Sequence, residues 1–296
     1  MVRPAGAARR KERMHVTPAE RLVAELQRLG SCVVAFSGGV DSAVVAKAAC
    51  LALGDRALAV TGVSASLAEG ELAAAQAAAR AIGIAHRSLA TQEFADENYL
   101  RNQPDRCFHC KTELYRQLAA TAVELGFDAL VNGANADDLG DFRPGMRAAA
   151  DFAVRSPLAE CGLGKQQVRE LARAWGLAVW DKPAMPCLSS RVAYGLAVTP
   201  ERLARIDAAE RVLRELGFAA VRVRHHEHEL ARLEVPVEAL PRLCAEGVRE
   251  QVAAQLRSVG FRYVTLDLEG FRSGSFQQLV PVEELERFPP AASRLS

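Results

Sequence analysis

Ser37-Gly38-Gly39-Val40-Asp41-Ser42 is the stretch whose residue types and spacing point most directly to chemistry, because it follows the apolar run Cys32 to Phe36 and opens into a helical pattern. Two adjacent glycines let a turn reach positive φ and bring its N–H groups close to an anion, while the helix that follows presents its positive end. A nucleotide phosphate is the ligand this predicts, held by Ser37, Gly38, Gly39, Asp41 and Ser42. The GxxxxGK[ST] pattern is missing, so the Walker reading does not apply. Asp41 has two compatible readings, a cap on the helix or a magnesium ligand.

Further along, Thr61 in Val60-Thr61-Gly62-Val63 ends the next expected strand, one βαβ unit later, where it could wall an adenine or ribose. Asn132, Gly133 and Asn135, with Asp137-Asp138, follow a third strand. They read either as a well-capped turn or as partners of a magnesium-bearing triphosphate, since hard cations prefer carboxylate oxygens. Lys182 and Arg191 are candidate partners of phosphate or of an acyl-adenylate; their plain alternative is a surface cation.

Seven cysteines are present, and three stand out: Cys107 and Cys110 in Cys-Phe-His-Cys, and Cys187 in Pro186-Cys187-Leu188-Ser189-Ser190-Arg191. A CxxC pair could be redox-active, bind zinc or simply be packed. Three thiolates could instead hold three irons of a [4Fe-4S] cluster and leave the fourth open to an exchangeable sulfur. Spacing leaves all of these open. Cys32, Cys50, Cys161 and Cys244 read as packing residues, and His109 as a passenger in the cysteine motif. Arg272, Ser273 and Ser275 surround a permissive Gly274 and could hold a phosphate, or form a ribbon end. His225-His226-Glu227-His228 reads as a polar strand connection, with metal binding as the minor alternative.

These residues need elements to carry them. Thr17-Pro18-Ala19-Glu20 predicts a helix start; strands are expected at Cys32–Phe36, Ala57–Val63, Ile84–Ser88 and Ala129–Asn132, and helices at Ser42–Leu53, Glu69–Ile82, Lys111–Leu125 and Gly164–Trp175. The alternation predicts an α/β fold, a parallel sheet with helices on both faces and ligands at the carboxyl ends of its strands. After Gly195 a smaller α/β unit is expected: a helix from Thr199 to Leu216, strands at Ala220–His225, Glu229–Val235 and Tyr263–Leu268, and a mostly helical stretch over Val237–Leu256. The expected division is a tail over 1–16, a nucleotide domain over 17–195, a substrate and oligomerisation domain over 196–288, and a tail over 289–296.

At 296 residues, with 50% apolar and 25% charged, the composition is that of an ordinary globular protein, and a net charge of +1 gives no bias toward nucleic acid. No apolar run approaches the roughly 20 residues that cross a bilayer. Arg3 to Arg13 form a basic stretch without a following apolar segment, which reads as a tail rather than a leader. The odd number of cysteines then favours a reducing cytoplasm.

The glycine loop in its context resembles the PP-loop ATP pyrophosphatases, which activate a carboxylate or carbonyl by adenylation. The wider set is similar to the LarE family of ATP-dependent sulfur transferases: that loop, Arg106 to Lys111, Asn132 to Asp138, Ser156-Pro157-Leu158, Lys182-Pro183, Cys187 to Arg191, and Leu266 to Ser275. The resemblance covers nearly the whole chain. It implies a parallel-sheet PP-loop domain with a second, smaller α/β domain, and a role in making the nickel-pincer cofactor of lactate racemase. ATP and Mg2+ would activate the carboxylates of pyridinium-3,5-biscarboxylic acid mononucleotide. Three-cysteine members resemble one route, with Cys107, Cys110 and Cys187 ligating a [4Fe-4S] cluster that carries sulfide; single-cysteine members resemble another, in which the counterpart of Cys187 gives up its own sulfur. Cys187 has a role in both, beside Asp41, Lys182 and Arg191. The partners implied are a small mononucleotide and an unidentified sulfide donor, in a homo-oligomer, with neither nucleic acid nor membrane. A tRNA-thiolating enzyme and a non-enzymatic nucleotide or Fe-S binding protein remain the alternatives.

Overall fold

The structure, a computed structural model, describes residues 16–140, 144–183 and 185–272. Ser273, Gly274 and Ser275, the expected tails apart from Val16, and the end of the second unit at 288 lie outside the described residues.

Thr17 and Glu20 cap each other's backbone N–H groups and Pro18 occupies the first turn, which starts α1 (Pro18–Gln27) where the sequence predicts it. Next come β1 (Cys32–Ala35), α2 (Val40–Leu53), β2 (Ala57–Val63), α3 (Glu71–Ile82) and β3 (Ala85–Ala90). The chain continues through α4 (Glu97–Leu100), α5 (Arg106–Leu125), β4 (Ala129–Val131), α6 (Pro144–Asp151), α7 (Pro157–Glu160) and α8 (Lys165–Ala174). Among the described residues the strands form a parallel sheet in the order β3-β2-β1-β4.

Side chains alternate across this sheet and build a core on each face. Cys32 and Val34 pack with residues of α1, α2, α3 and α8, whereas Val33, Leu58 and Val60 pack with Tyr115 and Leu118 of α5 and Ala148 of α6. The register brings Ala35 opposite Val60 and Val34 opposite Val131. The carboxyl ends of β1, β2 and β4 therefore share one edge, the place where such sheets bind ligands.

The second unit holds α9 (Pro200–Glu215), β5 (Arg222–His226), β6 (Leu230–Glu234), α10 (Leu240–Cys244), α11 (Val248–Ser258) and β7 (Tyr263–Leu266). Its sheet is mixed: β6 is antiparallel to β5 and parallel to β7. The mostly helical stretch expected over Val237–Leu256 is interrupted between α10 and α11, where Gly247 takes φ +80° as the N-cap of α11. The core under this sheet also takes in Tyr99, Leu188 and Val192 from the preceding part of the chain. The two units meet along a seam at which Ala193 donates its N–H to the His225 carbonyl at 2.9 Å. Among the described residues no helix is long and apolar enough to cross a membrane.

Candidate functional site

The glycine loop joins β1 to α2. Gly38 sits at φ +70°, and a Cβ there would lie 2.9 Å from the Ala75 Cα of α3, so both the turn and the packing demand glycine. Ser37 and Ser42 close the loop, their Oγ atoms 3.1 Å apart, with Ser37 N–H donating to Ser42 Oγ at 3.3 Å and Gly39 N–H to Ser37 Oγ at 3.3 Å. Gly39 is the N-cap of α2 and no side chain caps that end. The first turn of a helix carries N–H groups without intrahelical partners, which is what a phosphate needs.

Asp41 is therefore not the cap that one reading of the sequence made it. It stands inside the first turn, where Oδ2 pairs with Lys165 Nζ at 3.1 Å and Oδ1 accepts from Asn135 Nδ2 at 3.4 Å. The acids beyond β4 are held differently. Asp137 accepts the Lys165 backbone N–H at 2.7 Å, at the start of α8, and Asp138 accepts the Asn135 N–H at 3.0 Å. Of the three, only Asp41 is held by side chains alone, so its oxygens fit a magnesium ion at least cost. Gly133 approaches so closely that a Cβ would lie 2.8 Å from the Ser42 nitrogen. Asn132 accepts from Ala134 N–H and from Ser156 Oγ, each at 3.0 Å, and donates to Tyr115 Oη at 3.3 Å. Thr61 lies on the same edge; its hydroxyl donates to the Phe36 carbonyl at 2.8 Å and lies 2.9 Å from His86 Nε2. Burial, helped by Arg80, lowers the His86 pKa.

The cysteine motif is helical, not a loop ahead of a helix. α5 begins at Arg106 because that residue is anchored from outside: its buried guanidinium donates to Asn102 Oδ1 at 2.5 Å and to the Ser189 carbonyl at 2.7 Å. Cys107 and Cys110 thus share one face of the first turns of α5. Cys187 leads a short 3-10 turn, Leu188–Arg191, tied to the β2–α3 connection by Leu188 N–H donating to the Ser66 carbonyl at 2.9 Å. Ser189 Oγ lies 2.6 Å from Tyr99 Oη.

The three thiols lie within one another's electrostatic reach. Burial pushes the Cys110 thiol up to about 12, the charge of Cys187 adds to this, and Lys111 opposes it, with Glu93 and Cys107 contributing further in the raising direction. Burial works against the charge on Lys111, but Tyr115 and the three thiols outweigh it and raise its pKa. Among the described residues no three His, Cys, Asp or Glu side chains already stand in a metal-ligand arrangement. By its chemistry the set still suits iron, since soft sulfur donors backed by Arg106 and Lys111 match an anionic iron-thiolate cluster.

α5 also links the two halves of the site. Cys107, Lys111 and Tyr115 follow one another at helical i, i+4 spacing, and Tyr115 reaches Asn132, whose neighbour Gly133 touches the first turn of α2. Arg191 is turned inward. It is 2% exposed, pairs with Glu210 at 3.0 Å, and donates to the Pro186 carbonyl and, at 3.0 Å, to the Cys187 carbonyl. Lys182 pairs with Glu71 of α3 at 2.9 Å. Arg272 lies against the second unit: its carbonyl accepts from Arg222 at 3.3 Å, its guanidinium pairs with Glu269, and its Nε is buried with no partner among the described residues. Burial, reinforced by Arg224 and Arg191, lowers the Arg222 pKa to about 10, and its guanidinium lies over the Phe271 ring, 4.4 Å from the ring centre. The histidine stretch turns the β5–β6 hairpin. His225 packs on Phe261 with ring centroids 5.1 Å apart and pairs with Glu229 at 3.0 Å.

Sequence reasoning did not single out Lys165, Arg106, Lys111, Tyr99 or Arg222 as site residues. Arg106 and Lys111 flank the CxxC pair, so their position was a usable signal. For Lys165, Tyr99 and Arg222 none was available, because their partners are far away in the chain.

No family model matches the chain. An uncharacterized protein of Synechocystis sp. is 46% identical over 252 residues, spanning 85% of this chain and 94% of that protein. The pyridinium-3,5-bisthiocarboxylic acid mononucleotide synthase of Lactiplantibacillus plantarum is 38% identical over 268 residues, 90% of this chain and 96% of the synthase. The tRNA-specific 2-thiouridylase MnmA of Methylobacterium nodulans is 34% identical over 190 residues, 51% of this chain and 49% of MnmA. With its glycine loop at the sheet edge and two relatives matched over 94% and 96% of their length, the chain belongs to the PP-loop ATP pyrophosphatase superfamily, among the LarE-like and MnmA-like proteins.

Proposed function

We propose that this chain is an ATP-dependent sulfur transferase that adenylates the carboxylates of pyridinium-3,5-biscarboxylic acid mononucleotide and converts them to thiocarboxylates, for nickel-pincer nucleotide biosynthesis. The observation that carries this reading is that Cys187 lies within electrostatic reach of Cys110 on the first turns of α5, the helix whose Tyr115 contacts the edge of the glycine-loop site. A relative named as a synthase of the bisthiocarboxylic product, matched over 96% of its length, supports it.

In this reading Ser37, Gly38, Gly39 and Ser42 hold the ATP phosphates and Asp41 would hold magnesium, which supplies charge neutralisation. Thr61, Asn132, Gly133, Asn135 and Asp137 shape the crevice around the nucleotide. Lys182 faces the acyl-adenylate from its place beside α3. Arg222 and Arg272, with Ser273 and Ser275, hold the phosphate of the mononucleotide. Cys107, Cys110 and Cys187 would hold a [4Fe-4S] cluster, which supplies an iron-bound sulfide; Arg106 and Lys111 offset the charge of the thiolates, and Arg191 keeps the Cys187 loop in place. The competing chemistry uses Cys187 alone: its thiolate displaces AMP to give a thioester, and elimination breaks the Cβ–S bond to leave dehydroalanine and a thiocarboxylate.

Anaerobic protein, assayed for iron and sulfide and then turned over with ATP and the biscarboxylate mononucleotide, decides between them. More than one sulfur transferred per chain with Cys187 intact by mass spectrometry is the expected result, and Cys107→Ala should abolish it. One transfer per chain with hydrogen sulfide lost from Cys187, and activity surviving in Cys107→Ala, would establish the sacrificial route instead. The MnmA-like match favours tRNA thiolation as a second reading. Retention of tRNA and no pyrophosphate release with the mononucleotide would select it.

A further inference from the structure

Glu93 is a carboxylate that the proposed reaction leaves unused. It opens a short 3-10 turn after β3 and is 2% exposed. Its Oε1 accepts from Ser64 Oγ at 2.5 Å and from Ser66 Oγ at 3.3 Å, while its Oε2 is buried with no partner among the described residues. Hydroxyls satisfy a carboxylate without neutralising it, and a charge taken out of water is costly unless an opposite charge meets it. Glu210, Glu234 and Asp267, the buried acids of the second unit, each have an arginine. Among the described residues no lysine or arginine pairs with Glu93.

This carboxylate stands beside the Cys187 turn. Ser66, whose hydroxyl donates to it, offers its carbonyl to Leu188 N–H at 2.9 Å, the residue after Cys187. At Cys110 and at Tyr99 burial and the charge of Cys187 raise the pKa first, and the Glu93 charge adds to both. The Tyr99 ring meets Phe94 edge-on with centroids 5.2 Å apart, and its hydroxyl lies 2.6 Å from Ser189 Oγ. Aromatic rings and an unneutralised carboxylate thus lie together next to the thiols, a combination that suits a cationic ring. In a pyridinium mononucleotide the ring nitrogen is only a few bonds from the reacting carboxyl carbon. Sulfur transfer at Cys187 or its neighbours therefore draws the ring cation into this neighbourhood.

We infer that Glu93 is a specificity-determining residue: its buried carboxylate is the counter-charge of the substrate's pyridinium ring, so that the site takes a cationic ring in preference to a neutral ring of the same shape. The inference rests on the mononucleotide reading above. The two charges act through space, since Oε2 itself is closed off from solvent, and such an attraction is stronger inside a protein than in water.

The probes are pyridinium-3,5-biscarboxylic acid mononucleotide and its 1,4-dihydro form, made by dithionite reduction, which keeps the ring substituents and loses the ring charge. Calorimetry should show the parent binding the cationic form roughly tenfold more tightly than the dihydro form. Glu93→Gln keeps an oxygen for the two serines; it should erase most of that ratio and leave the affinity for a non-hydrolysable ATP analogue unchanged. General damage to the fold would weaken both forms together, so the ratio is the signature of the charge, and the parent's own ratio needs no variant. Equal affinity of the parent for the two forms, or a ratio unchanged in Glu93→Gln, overturns the inference and leaves the mononucleotide reading standing. A parent that binds neither form removes that reading and this inference with it.

Discussion

Arg191 illustrates at the scale of one residue how burial changes a role. From the sequence it is a cation next to a reactive cysteine and so a candidate phosphate partner; in the fold its guanidinium holds the Cys187 loop by two carbonyls and neutralises Glu210, which is fully buried. Removing one partner of a buried pair leaves an uncompensated charge. Arg191→Met should therefore lower stability by about 3–5 kcal/mol in urea unfolding. Pairing it with Glu210→Leu should restore part of that loss, although Glu210 also accepts from Arg214 at 2.6 Å and from Val223 N–H at 3.2 Å. A single variant as stable as the parent would mean that the pair contributes little.

At the scale of elements, the site depends on how closely β4 and α2 approach. Gly133 is the point of contact, and a Cβ there would meet the Ser42 nitrogen at 2.8 Å and the Asp41 carbonyl carbon at 3.0 Å, backbone atoms that cannot swing aside. Gly133→Ala should push the phosphate loop out of shape, costing about 1–3 kcal/mol in stability and roughly tenfold in affinity for an ATP analogue. Gly133→Ala is to be compared with Gly162→Ala, whose φ of +68° carries backbone strain but whose Cβ would meet nothing. Equal effects of the two on nucleotide affinity would show that the contact is irrelevant. The strands and most helix limits of the first unit were legible because apolar runs and glycine stops are local signals. The start of α5 was not, because Arg106 is anchored by Asn102 and Ser189, the latter far along the chain.

At the scale of the whole molecule, the division at 195 crosses a shared core rather than a linker. Tyr99, Leu188 and Val192 pack under the second sheet, and His225 joins the seam through its carbonyl. His225 is 1% exposed, and burial, with Arg205, Arg202 and His226 adding to it, lowers its pKa from 6.5 to about 4, while Glu229 accepts from its ring. Above pH 6.5 neither folded nor unfolded chain holds this proton. Between 6.5 and about 4 the unfolded chain binds a proton that the folded one refuses, so stability falls as pH falls, by on the order of 1 kcal/mol per pH unit, and levels off below that window. His225→Phe should flatten this part of the profile, read from urea midpoints near neutrality and at about pH 5. An unchanged pH slope in the variant would assign the acid sensitivity elsewhere.

The alternation of strand and helix, the glycine turn and the identity of the three thiols are legible in the chain alone, because each is written in a few consecutive residues whose local preferences agree. It takes the fold to pair Asp41 with Lys165 instead of capping its helix, to turn Arg191 inward, and to bring Cys187 within electrostatic reach of Cys110. Those outcomes depend on contacts between residues many positions apart, and packing, not local propensity, chooses among them.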